Sequence, residues 1–314
     1  MPSTAPRVLI IGTGGTIAGR AASSTDHVGY KAGEVGIGDL IAGVPPLRDV
    51  PLEFEQLAQL DSKDMDLATW RRLALRVQAA LNDAAVSGVV ITHGTDTLEE
   101  TAYLLHRVLQ GDKPVVLTAA MRPASSLSPD GPQNLLDAVT VATTPGVQGV
   151  VVCMAGRVHR ADRVRKVHSY QVDAFDSPDG VVALLEGGAL RCLQSWCLPL
   201  ADGVDKLPAE SSRWPRVAVV WNAAGEDGAI VAQLEAMAKS EGRRLGVVAA
   251  GTGNGSLSHA LEAALLAAQA RGVAVLRATR CANGPVVGGG ALRNAGAMSL
   301  PQARVDLLLQ LLDA

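Results

Sequence analysis

Aromatic side chains are scarce in this chain, with four Trp, three Tyr and two Phe among 314 residues. Apolar residues still make up 48% of the sequence, so Ala, Val and Leu must fill the interior. Cysteine is scarce as well. The four cysteines, at 153, 192, 197 and 281, show no CxxC spacing, which excludes a disulfide scaffold and leaves them as buried or free thiols. None of the six histidines falls in an HxxxH or HExxH arrangement, so no metal site is expected. Charge of one sign is also lacking. A net charge of -3 from 28 basic and 31 acidic residues supplies no field to draw nucleic acid or an anionic membrane, and a small-molecule partner fits better. No run approaches the ~18 uncharged apolar residues that span a bilayer. The start, MPSTAPRVLIIGTGG, has no charged n-region, apolar h-region or small-residue cleavage site, and the expectation is a soluble cytoplasmic protein.

What is present is an alternation of two patterns. Short apolar runs recur at 7–11, 88–92, 115–118, 149–153, 217–221, 246–250 and 273–278. They are continuous rather than alternating, as in strands buried on both faces of a parallel sheet. Amphipathic helices lie between them. In 66–85, for example, Leu67, Trp70, Leu73, Val77, Ala80, Leu81 and Ala84 share one face. This βαβα order predicts a doubly wound α/β architecture. A chain of this length is expected to divide into two domains. The segment Leu198 to Pro215, rich in Pro, Asp and Ser and without periodicity, reads as the linker. The predicted boundaries are 1–198, a linker over 199–215, and a smaller α/β domain over 216–314.

Ligands of open α/β sheets bind beyond the carboxyl ends of the strands, so the loops after each apolar run carry the chemistry. The first such loop is Gly12-Thr13-Gly14-Gly15-Thr16-Ile17-Ala18-Gly19. It breaks the GxGxxG dinucleotide fingerprint at Ile17. Its glycines allow close approach of a ligand to backbone N–H groups, with Thr16 presenting a hydroxyl at the sheet rim; a turn whose threonine bonds only its own backbone is the alternative. A second loop is Thr92-His93-Gly94-Thr95-Asp96-Thr97, followed by Leu98-Glu99-Glu100. Thr97 and Glu100 fit a capping box that starts a helix. Thr95 and Asp96 then lie at a helix N-terminus able to stabilise an oxyanion. His93 reads as a packed, hydrogen-bonded histidine rather than a base.

The segments IIGTGGTIAG and GVVITHGTDTLEETAYLL resemble the two signature motifs of the bacterial-type L-asparaginases, a family that includes glutaminase-asparaginases. Similarity extends over Asp61–Met65, Ala120–Pro123, Asp130–Pro132, the surroundings of Lys166, and Gly251–Ser256. The resemblance implies a flavodoxin-like, mostly parallel N-terminal sheet, a smaller C-terminal α/β domain, and a homotetramer built from intimate dimers. It implies that Thr16 is the nucleophile, with Tyr30 taking its proton, and that Thr95, Asp96 and Lys166 form a second polar cluster. Taken alone, Lys166 in HRADRVRKVH reads as part of a solvated basic face. Gly15, Ser62, Lys63, Gly94, Thr95, Asp96 and Ala120 would line the asparagine site, and Ser256 would come from a neighbouring subunit. A helix N-cap before Leu257–Arg271 is the alternative for Ser256. No metal or organic cofactor enters the implied reaction.

Two departures bear on substrate recognition. Many members carry Gln or Glu where this chain has Lys63, and lysine has no acceptor for the substrate's α-ammonium. No Asp or Glu occurs over 281–304 either, where the family often supplies a carboxylate. Either Lys63 projects to solvent and Asp96 serves as sole carboxylate with help from Asn283, or amine recognition is relaxed. Rival readings are an ammonia-delivering amidotransferase subunit and a non-catalytic binding protein of the same fold. The first needs a partner or tRNA surface, and the only basic cluster, 157–168, already contains Lys166.

Overall fold

A computed structural model describes residues 6–26 and 28–313; Met1–Ala5, His27 and Ala314, and with them part of the start read above, lie outside that description. The chain forms two compact units, Met1–Val204 and Asp205–Ala314.

The first unit begins with β1 (Arg7–Gly14), α1 (Ile37–Ala42), β2 (Leu52–Leu60), α2 (Leu67–Asn82), β3 (Val86–Thr92) and α3 (Leu98–Val108). It continues through β4 (Val115–Thr118), α4 (Gly131–Thr143), β5 (Val150–Met154), β6 (Arg157–Arg160), β7 (Arg165–Lys166), β8 (Phe175–Asp176), β9 (Ala183–Glu186) and β10 (Ala189–Cys192). Its main sheet runs β10-β9-β6-β5-β4-β3-β1-β2. Strands β2, β1, β3, β4 and β5 are parallel neighbours, and β6, β9 and β10 extend the sheet antiparallel. The parallel order 2-1-3-4-5 is the flavodoxin-like one, whose ligand crevice opens between β1 and β3, where the winding reverses.

Continuous apolar strands form here because helices cover both faces. Val8 and Ile10 pack with residues of α1 and α4; Leu9 and Ile11, on the opposite face by alternation, are equally buried. Helix α2 starts where the Asp66 carboxylate accepts the Thr69 N–H at 2.7 Å and buries Trp70, Leu73, Val77, Ala80 and Leu81. It ends at Asn82, three residues short of the predicted end, and Ala84 is exposed.

The second unit contains β11 (Arg216–Trp221), α5 (Ala229–Ser240), β12 (Leu245–Gly251), α6 (His259–Ala270), β13 (Ala274–Thr279), β14 (Arg293–Asn294) and α7 (Leu300–Asp313). These strands form a parallel sheet in sequence order, over a core of small aliphatics such as Val231, Val247, Leu261 and Leu265. The aperiodic segment before β11 holds two 3-10 turns and buries Leu207 and Trp214. Among the described residues no helix is long and apolar enough to cross a membrane.

Candidate active site

The loops that leave β1 and β3 touch. Gly14 and Gly15 have φ of 102° and 82°, a region that side chains disfavour, and the turn lays Gly15 against Gly94. A Cβ at Gly15 would overlap the Gly94 backbone and sit 2.7 Å from the His93 carbonyl carbon. Thr16 follows at once, 7% exposed, with its Oγ1 2.6 Å from the Tyr30 hydroxyl. Tyr30 is carried by the segment after Gly19, which folds back through a two-way Arg20–Lys31 backbone bridge and a bond from Gly33 N–H to Gly15 O.

Across this contact lies a second polar group. The Lys166 ammonium donates to Thr95 Oγ1 at 2.9 Å and to Asp96 Oδ1 at 2.6 Å. A cation at that distance favours ionisation of the hydroxyl. Ser62, buried after β2, accepts the Asp96 N–H at 3.1 Å and so keeps its own proton to donate. Asp96 Oδ2 accepts from no protein group among the described residues. Thus Gly15, Thr16, Tyr30, Ser62, Gly94, Thr95, Asp96 and Lys166 come together within the first unit.

Backbone donors complete the cluster. Thr92 and Thr118 are register partners at the ends of β3 and β4, which sets the loops of Thr95 and Ala120 side by side. Among the described residues neither the Thr95 nor the Ala120 N–H has a protein acceptor. Both residues are buried, and buried amides are almost always paired with protein or water, so these two are available to a bound oxygen. The Asp130 carboxylate holds the Ala120 loop by accepting the N–H groups of Met121 and Arg122, each at 2.9 Å.

His93 serves structure. Its Nδ1 donates to Gly94 O at 2.7 Å, and its Nε2 accepts from Thr101, which in turn accepts from the Trp70 indole. Complete burial pulls its pKa down to about 4, so the ring is neutral at pH 7. Lys63 points away from this chemistry: its ammonium pairs with Asp61 at 2.7 Å and Asp64 at 3.2 Å, and the side chain is 61% exposed. Bonding to Asp61 and Asp64 raises its pKa.

Two local expectations are corrected. Thr97 precedes α3 but makes no side-chain cap; its hydroxyl donates to Ser62 O at 2.8 Å instead, a tertiary bond that turns it away from the helix N–H donors. Ser256 does not cap the following helix. Ser258 does, accepting Leu261 N–H at 3.2 Å, while Ser256 is exposed in a turn closed by backbone bonds to Thr252. Two residues that the sequence marks within the similar segments but gives no role also support the site: Asp130, just described, and Glu99, which accepts the Lys166 N–H at 2.6 Å across 67 residues.

Elsewhere, ligand atoms of His106, Asp162 and Cys197 lie within 4.8 Å of one another. The Asp162 carboxylate is already met by a two-pronged Arg160 guanidinium at 3.0 and 2.8 Å, so that group has little charge left for an ion.

Comparison with known proteins adds independent findings. Residues 7–196 match the asparaginase N-terminal domain family, and residues 216–312 match the glutaminase/asparaginase C-terminal domain family. L-asparaginase 2 of Bacillus subtilis (strain 168) is 37% identical over 285 residues, 90% of this chain and 74% of that protein. Glutaminase-asparaginase of Pseudomonas fluorescens biotype A is 35% identical over 297 residues, 92% of this chain and 78% of that one. The crystal structure of a "Probable Cytoplasmic L-asparaginase" from Campylobacter jejuni superposes with a TM-score of 0.88 at 34% identity, covering 98% of this chain and 96% of that one.

Proposed function

The chain belongs to the asparaginase family, and from that premise we propose that it hydrolyses L-asparagine to L-aspartate and ammonia with Thr16 as nucleophile. The observation that carries this reading is the contact between the Gly15 and Gly94 backbones, which brings two hydroxyl-bearing loops, each with its own proton partner, to one crevice.

In the first step Thr16 Oγ1 bonds to the side-chain carbonyl carbon. Its proton passes to the Tyr30 oxygen at 2.6 Å, and the tyrosyl proton moves on to the departing nitrogen. A hydroxyl is a poor nucleophile without such a partner. The carbonyl oxygen gains charge where the Thr95 and Ala120 amides can donate. Ammonia leaves a β-aspartyl ester, and water cleaves that ester to release aspartate and restore Thr16. Thr95, held by Lys166, orients the water. Ser62 donates to the substrate α-carboxylate, and Asp96 Oδ2 accepts from its α-ammonium. Glutamine is one methylene longer, a difference worth only ~1 to 3 kcal/mol in a pocket, so minor glutaminase activity accompanies this reading.

A homotetramer of intimate dimers, with Ser256 contributed from a second copy, and cytoplasmic residence belong to the same proposal. They draw on the family and on the Campylobacter jejuni likeness. Light scattering coupled to gel filtration tests the first. Ammonia release from asparagine and glutamine at neutral pH tests the function, with Thr16→Ala lowering kcat by ~10⁴-fold or more. Wild-type protein that releases no ammonia sinks the function; a Thr16→Ala variant near full activity sinks the assignment of the nucleophile.

A further inference from the structure

Lys166 lies on β7, and among the described residues β7 pairs with β8 in a separate two-stranded ribbon. The ribbon shares no ladder with the eight-stranded sheet whose loops carry Thr16, Thr95 and Asp96. The turn from Arg160 carries the chain to β7, and the placement of the Lys166 ammonium beyond it calls for a further tie. The Glu99 carboxylate is placed to do so. It belongs to the first turn of α3, three residues after Asp96, and is 6% exposed. Its Oε2 accepts the Lys166 backbone N–H at 2.6 Å, a hydrogen bond to an ionised acceptor of the kind that is stronger than a neutral pair. Arg165, the other residue of β7, is also buried, and the Glu99 charge opposes the desolvation of its guanidinium. One carboxylate thus ties the ribbon to the helix turn directly behind the polar cluster.

We propose that Glu99 is a positioning residue that locates the Lys166 ammonium on Thr95 and Asp96 by holding the β7 backbone. The inference rests on the hydrolytic reading of this site for its kinetic consequences but not for its geometric ones. A backbone shift near 1 Å can cost ~10²-fold in rate, and the loss should fall mainly on kcat, since Glu99 bonds the Lys166 backbone and has no place among the groups proposed to bind the substrate.

The test compares Glu99→Ala, Glu99→Asp and Glu99→Gln with wild type on asparagine, in the native and the Lys166→Met backgrounds. Glu99→Gln keeps an acceptor oxygen at the same reach but drops the charge facing Arg165, so it should hold kcat within ~3-fold of wild type while lowering the urea midpoint. Glu99→Ala should lower kcat by ~10- to 10²-fold with KM within ~3-fold. Glu99→Asp, which withdraws the carboxylate by one methylene while keeping its charge, should do likewise and covers the case in which the alanine variant does not fold. In the Lys166→Met background these changes should cost less than ~2-fold, because coupled residues are non-additive. A crystal structure of Glu99→Asp gives a readout independent of turnover, with Lys166 Nζ beyond hydrogen-bond distance of Thr95 Oγ1. Inactive wild type with a displaced Nζ in the variant would remove the hydrolytic reading and keep the positioning. Nζ unmoved, kcat unchanged, or an equal loss in the Lys166→Met background would overturn the proposal.

Discussion

Gly15→Ala isolates the contact on which the site is built. The added carbon would lie 2.7 Å from the His93 carbonyl carbon and nearer still to Gly94, whereas carbon atoms prefer ~3.5 to 4.0 Å. Relief therefore needs the two loops to part by about 1 Å. Two costs add. Holding alanine at φ +82° and ψ −174°, a region kept essentially for glycine, costs roughly 1 to 3 kcal/mol, and overpacking costs roughly 1 to 3 kcal/mol, giving ~2 to 6 kcal/mol in urea unfolding. Any surviving fold should show kcat on asparagine down by ~10²-fold, the usual consequence of a 1 Å displacement of reacting groups. Gly146→Ala is the control for a positive φ without crowding: its φ is +85°, yet no atom lies within 4 Å of the added carbon. It should lose only the ~1 to 2 kcal/mol of backbone strain and retain full activity. If Gly15→Ala were no more destabilising than Gly146→Ala and kept kcat within ~3-fold, the convergence of the two loops would not matter to turnover.

Substrate breadth and acid stability give further tests. With Lys63 held by Asp61 and Asp64, one oxygen of Asp96 is left for the α-ammonium, so asparagine should exceed its des-amino analogue succinamate in kcat/KM by less than ~10³-fold, about 4 kcal/mol. A larger preference rejects relaxed amine recognition. Burial lowers both His93 and His159 to about 4, below the ordinary 6.5 of an unfolded chain. The stability that each neutral ring contributes is present above pH 6.5 and is lost as pH falls toward 4, roughly 3 kcal/mol apiece by linkage. Urea midpoints should fall steadily over that window, and His159→Gln should shallow the slope; a flat profile contradicts buried neutral rings.

The fold was legible where burial on two faces writes itself into sequence. The runs at 7–11, 88–92 and 115–118 must be apolar throughout because helices cover both sides of β1, β3 and β4, and their carboxyl ends marked the chemical loops. Strand β2, LEFEQLAQL, was missed because it lies at the sheet edge, where polar positions such as Glu53 and Glu55 meet solvent. The antiparallel strands β6, β9 and β10 are four residues each and carry charges, too little signal for either period. In the site, Thr16 and Thr95 could be found from their loops, whereas Lys166 read alone as a solvated basic face. Only the third dimension brings its side chain to 19% exposure against Thr95. The Thr97 cap fails for a related reason: the hydroxyl donates to the Ser62 carbonyl rather than accepting a helix N–H, and nothing within three residues announces that partner.

The two threonines are held in unlike ways, and the difference follows from where their partners sit in the chain. Thr95 leaves a strand flanked by β1 and β4, and its neighbour Asp96 is bonded to Ser62 through the main chain and to Lys166 through its carboxylate. The Thr16 hydroxyl bonds Tyr30, which belongs to a mostly exposed excursion from the sheet joined by a few backbone bonds. Preorganised groups stabilise charge without reorganising at the moment of reaction, so under the proposed chemistry the Thr95 group suits the parts that must stand ready, the oxyanion donors and the water. A proton partner on an excursion can move aside to admit substrate and return to complete the constellation. An enzyme that must both accept a polar amino acid and exclude bulk water from an ester intermediate has reason to divide its hydroxyls in this manner.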